Sequence, residues 1–127
     1  MINRELAERL RDSGIPWDPR PGDRFAIPDR GLDDSVFVIS DMTIETQDVP
    51  GGRVIKFNGT TEWALDWISA DDVLWLPRED QLRGLLGERF ARLEALPEGF
   101  AVETADGERH VDLSPERAYA RAVLAIP

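Results

Sequence analysis

Cysteine is absent from this 127-residue chain, histidine occurs once, at His110, and Lys56 is the single lysine. Without cysteine there is no disulfide, no thiol nucleophile and no thiolate metal ligand. With a single imidazole besides, one chain cannot assemble the nitrogen and sulfur ligands of a zinc centre, so no metal site is expected. Long apolar runs are missing too, and none approaches the roughly 20 residues that span a bilayer. The first residues lack the apolar core of a secretory signal, because Arg9, Arg11 and Asp12 interrupt it. The expectation is a soluble protein with no membrane attachment and a cytoplasmic location.

Positive charge is scarce relative to negative. Asp and Glu number 25 against 15 Lys and Arg, for a net charge of -10. Such a surface repels phosphate backbones, and no basic stripe offsets it, so no nucleic-acid partner is expected. A basic protein partner, a cation or plain solubility remain as uses for the acidic surface. Apolar residues make up 42% and charged residues 31%, which suits one globular core. The length fits a single domain over residues 1–127.

Along the chain, Asn3 to Ser13 reads as a helix: Asn3 caps it, and Ile2, Leu6 and Leu10 form one apolar stripe. Gly14 and Pro16 end it. Trp17 to Asp23, rich in proline, is an extended connector. Arg24 to Ile27 is a short strand. Val36-Phe37-Val38-Ile39, within Ser35 to Ser40, suggests a strand covered on both faces. Met42 to Gln47 alternates as a half-wet strand, Pro50-Gly51-Gly52 is a turn, and Arg53 to Phe57 returns as a hairpin.

Thr60 or Thr61 then caps a short predicted helix through Ile68, with Trp63 and Trp67 on one side. Val73 to Leu76 is a strand or an extended entry to the next helix. Pro77, Glu79 and Asp80 suit a helix start, and Leu82, Leu85, Leu86, Phe90 and Leu93 extend an apolar stripe towards Pro97. Ala105-Asp106-Gly107 is the turn of a hairpin joining Phe100–Thr104 to Glu108–Leu113. Ser114 and Pro115 open a final helix. The expected class is α+β: one antiparallel sheet of about five to six strands, with three to four helices mainly on one face.

The stretch Leu74-Trp75-Leu76-Pro77-Arg78-Glu79-Asp80-Gln81-Leu82, a W-L-P-R-x-D-Q-L motif, resembles a hallmark of small, uncharacterised bacterial proteins of actinobacterial type. Trp17, Pro19, Gly22 and Asp23 match as well, as does Phe57 to Asp66. Some members carry the label pilus assembly protein CpaE. Proteins properly so called resemble ATPases with a phosphate-binding loop, and no G-x-x-x-x-G-K-[ST] stretch occurs here. The resemblance therefore implies no catalytic residue and no cofactor.

Two candidate sites emerge. Arg78, Asp80 and Gln81, with Trp75, sit at a predicted helix start, where Arg78 could grip a carboxylate and Gln81 could donate and accept. Trp63, Trp67 and Trp75 are candidate anchors for a protein partner, since tryptophan is enriched at interface hot spots. Each set has a plainer explanation in core packing and helix capping. The many acids form no calcium-loop pattern, and His110 is expected at an edge or facing solvent. The favoured expectation is a protein-interaction or regulatory module rather than an enzyme. The alternatives are a small-ligand binder or enzyme with Arg78, Asp80 and Gln81 in a cleft, and an accessory protein of an assembly.

Overall fold

A computed structural model describes residues 1–28, 32–40, 44–57 and 67–127. The chain divides into two compact units, one of residues 16–75 and one of residues 1–15 and 76–127. Among the described residues the class is α+β, with three helices and three sheets of three strands.

In the unit of residues 16–75, β1 (Arg24–Ile27) and β2 (Leu32–Val38) run antiparallel with Phe25 opposite Phe37. The next pair is the expected hairpin. β3 (Ile44–Val49) and β4 (Gly52–Phe57) meet across a turn where Gly51 has φ 94°, a conformation costly for residues with a Cβ. β5 (Trp67–Ser69) joins β4 with Ile68 opposite Ile55, and β6 (Leu74–Leu76) lies beside β1. The sheets β2-β1-β6 and β3-β4-β5 share a core of Phe25, Ile27, Phe37, Ile39, Ile55, Ile68 and Val73.

Two expectations are corrected in this unit. The apolar run in β2 is not covered on both faces: Val36 is 42% and Val38 45% exposed, while Phe37 is 7%. Side chains alternate along a strand, and β2 has a core on one face only. Nor does a helix run through Ile68, because Trp67–Ser69 is a strand. There the free side of β4 takes Ile68 into the core, and tertiary pairing overrides the helical spacing. The rest of that expected helix, Trp63 included, lies outside the described residues.

In the other unit a helix packs on a sheet, and two further helices pack on that helix. α1 (Arg4–Asp12) begins with Asn3 Oδ1 accepting from the Leu6 N–H at 2.9 Å. α2 (Glu79–Leu86) stops at Gly87, whose φ is 54°, and one 3₁₀ turn (Gly87–Arg89) leads into β7 (Phe90–Leu96). β8 (Gly99–Thr104) and β9 (Arg109–Asp112) form the expected hairpin, and α3 (Pro115–Leu124) starts with Ser114 Oγ accepting from the Arg117 N–H at 3.4 Å. The order is β7-β8-β9, with Leu93, Val102 and His110 in one cross-strand row. α3 packs on β8 and β9, and α1 and α2 pack on α3. Leu6, Leu10, Leu82, Leu86, Val102, Ala118 and Tyr119 are buried in this unit.

The expected long helix after Pro77 is therefore half helix and half strand. Phe90 and Leu93 belong to β7, where charged Arg92 and Glu94 alternate with apolar Leu93 and Ala95. Gly84 and Gly87 weaken helix propagation by about 1 kcal/mol each, and the left-handed φ of Gly87 ends it. Phe90 still finds an apolar partner, its ring lying 5.6 Å from that of Tyr119 on α3. The single sheet of five to six strands is likewise replaced by three short ones, one of them in this unit and two in the other.

Candidate functional site

The start of α2 is held by its own side chains. Gln81 Oε1 accepts from the Arg78 N–H at 2.9 Å, satisfying a donor that a helix start leaves open. The Arg78 guanidinium reaches Asp80 through Nε–Oδ1 at 3.1 Å and Nη2–Oδ2 at 3.4 Å. The arginine beside it holds the Asp80 carboxyl below the usual carboxylate range. Asp80 is 72% exposed at its side chain, so this pair contributes little to stability. Arg78, Asp80 and Gln81 are thus brought together, and they bond to one another around a helix end.

Trp67 lies in β5 and Trp75 in β6, so of the three expected anchors two are in the unit of residues 16–75. Trp63 lies outside the described residues. Trp75 is partly buried and stacks on Trp17, with ring centroids 6.2 Å apart and planes within 7°. Trp17 also lies 6.1 Å from Phe25. Its indole N–H donates to Asp23 Oδ2 at 2.9 Å, and the same oxygen accepts the Arg20 N–H at 3.1 Å. Asp23 is 4% exposed, so the connector Trp17–Asp23 is fixed by a buried carboxylate. The Trp75 indole N–H is buried, with no hydrogen-bond acceptor among the described residues. Beside Trp17, Asp18 pairs with Arg53 and Arg20, and the Arg53 hydrogen bond lowers its pKa. Trp17 and Trp75 lie in distant stretches of the sequence, so no local spacing reveals their pairing.

A second feature lies in the unit of residues 1–15 and 76–127. A groove of about 650 Å³ runs between the end of α2 with its 3₁₀ turn, the β8–β9 turn and the end of α3. Leu85, Leu86, Ala122 and Ile126 give it an apolar lining, and Glu88, Arg89, Asp106 and Glu108 bring charge. The turn is fixed in place: the Ala105 N–H donates to the Arg89 carbonyl at 2.8 Å, and the Thr104 hydroxyl donates to Asp106. That hydroxyl bond keeps the Asp106 carboxyl below its usual range, with help from the Glu108 N–H. His110 takes the edge position of the two expected, and its side chain is mostly covered. Its Nε2 lies 3.3 Å from Glu108 Oε2, and its side chain is 17% exposed on the edge strand β9. Sequence reading identified the Asp-Gly turn but not the groove, which needs three elements to meet.

Among the described residues no group of three or more His, Cys, Asp or Glu side chains could hold a metal ion, and no helix is long and apolar enough to cross a membrane. No family model, curated protein or solved structure matches the chain.

Proposed function

We propose that this chain is a protein-interaction module, and that the unit of residues 16–75 docks a basic segment of another protein beside Trp17 and Trp75. One observation carries the reading: two tryptophans stack on each other at a surface where both remain partly exposed. Stacked indoles offer a rigid, broad anchor that loses little side-chain entropy on binding. Their faces attract guanidinium and ammonium groups. The net charge of -10 favours the same class of partner through long-range attraction. A regulatory or accessory role in an assembly, as the pilus-related label would have it, is compatible with such a module.

The reading that places a small ligand or substrate at Arg78, Asp80 and Gln81 has less support. Those side chains already satisfy one another and the first turn of α2.

Carbodiimide coupling in native lysate, followed by mass spectrometry, tests the proposal. This reagent joins carboxylates to lysines, and the chain itself has one lysine. The expected result is one partner whose lysines join Asp18, with the yield falling at high salt and on Trp75→Ala. Coupling spread over many proteins, or indifferent to a folded Trp75→Ala variant, would overturn it.

A further inference from the structure

We infer that the groove between α2, the β8–β9 turn and α3 is a second binding site, one for an aliphatic cation that also carries a carbonyl or carboxylate. This inference is independent of the docking proposed at Trp17 and Trp75, since all of the groove belongs to the other unit.

Volume and lining define the ligand class. About 650 Å³ lies within the usual range of small-molecule pockets, which take an apolar stem and a few polar ends. Leu85, Leu86, Ala122 and Ile126 suit the methylenes of such a stem. Glu88, Asp106 and Glu108 against Arg89 leave the lining with an excess of two negative charges. The ends of α2 and α3 both contribute to the wall, and a helix C-terminus carries partial negative charge. Charge and dipoles therefore select a cation. Arg89 supplies the opposite end of the site: no ion-pair partner is found for it among the described residues, so its guanidinium is available to a carbonyl or carboxylate. The groove is also built before any ligand arrives. The Ala105–Arg89 backbone bond ties the turn to the end of α2, and Asp106 locks the turn from within.

A guanidinium or ammonium on a methylene stem, with a carbonyl at the other end, is a basic amino acid. It reaches the groove either free or as a residue of a peptide, and the test separates these sources. Isothermal titration and amide chemical shifts are followed with three probes: free arginine, arginine blocked as its N-acetyl amide, and agmatine, which lacks the carboxylate. Saturable binding is expected, with shifts confined to residues 85–89, 104–108 and 122–127. Agmatine is expected to bind more weakly than the tighter arginine form. Binding of free arginine alone names a free amino acid, and equal binding of the blocked form names a peptide. Glu88→Gln and Glu108→Gln, both at exposed positions, are each expected to weaken binding about two- to fivefold, the scale of an exposed ion pair. Ala125→Trp, at another exposed position, fills the groove and is expected to abolish binding with the melting temperature nearly unchanged.

Absence of saturation with both arginine forms would overturn the site. So would binding that ignores Ala125→Trp and both glutamine variants. Shifts clustered at residues 16–24 and 67–75 would also overturn it, while leaving the docking proposal standing.

Discussion

Trp17 donates its indole N–H to the carboxylate of Asp23, which is almost wholly buried. This bond, with the Arg20 N–H on the same oxygen, pins the connector that carries the exposed face of the tryptophan pair. Asp23→Ala leaves both donors without their partner. The expected loss is about 2–3 kcal/mol, the scale of hydrogen bonds to a charged group. Urea unfolding followed by tryptophan fluorescence measures it, and the emission is expected to shift to the red as Trp17 is released.

Trp75 separates ring packing from hydrogen bonding, because its buried N–H has no acceptor among the described residues. Trp75→Ala removes the stack with Trp17 and is expected to cost about 3 kcal/mol. Trp75→Phe keeps an aromatic ring and sheds an unsatisfied donor, so a loss under about 1 kcal/mol is expected. Chemical denaturation of the two variants side by side checks the difference.

Asp112 makes stability depend on acid. Burial works to raise its pKa, but hydrogen bonds from Arg121, Arg117 and the Ser114 N–H outweigh that and bring it to about 2. The contacts are Arg117 Nε–Oδ1 at 2.7 Å and Arg121 Nε–Oδ2 at 2.8 Å. A carboxyl depressed in the folded state binds protons more readily when unfolded. Its contribution is therefore fully present above the ordinary aspartate value of 3.8 and is lost as pH falls towards 2. About 1–2 kcal/mol is expected from this group, allowing for solvent around the arginines. Comparing wild type with Asp112→Asn in urea at pH 6 and pH 2.5 checks it: the gap between them is expected to narrow at the lower pH.

Two glycines rank themselves by geometry. A Cβ on Gly99, where φ is 152°, would sit 2.6 Å from the Asp112 carbonyl oxygen. Gly107 has φ 91° with open space around it. Gly107→Ala is expected to lose about 1–2 kcal/mol from conformational strain alone. Gly99→Ala meets backbone as well and is expected to lose more, visible as the lower of the two melting temperatures.

Much of the fold was legible where local chemistry and tertiary demand agree. Asn3 and Ser114 cap helices because their side chains reach N–H groups three residues on, and Pro50-Gly51-Gly52 turns a hairpin because Gly51 accepts a left-handed φ. Reading failed where two periods coincide. Leu82, Leu86, Phe90 and Leu93 satisfy a helical stripe, yet Leu93 and Ala95 also alternate with charged Arg92 and Glu94 as a strand does, the register shift between Phe90 and Arg92 accommodates Phe90, and Gly87 ends the helix. Val36 and Val38 looked buried because composition cannot say which face of β2 has a neighbour. At the helix-start candidate, the residues were found together as expected from their spacing, but their mutual bonding follows from side-chain geometry. The stack of Trp17 on Trp75 and the groove beside Arg89 both join distant segments, which one sequence does not announce.

Asp112 is also where three restraints meet. Its carbonyl oxygen lies against Gly99, and its carboxylate holds two arginines of α3. The residue works as a clasp between the hairpin and the helix that covers it. Loosening either side is expected to release the other, so Gly99→Ala combined with Arg121→Ala is expected to cost less than their separate losses added together. Slackening of this clasp would reach the far end of α3, and with it one wall of the groove.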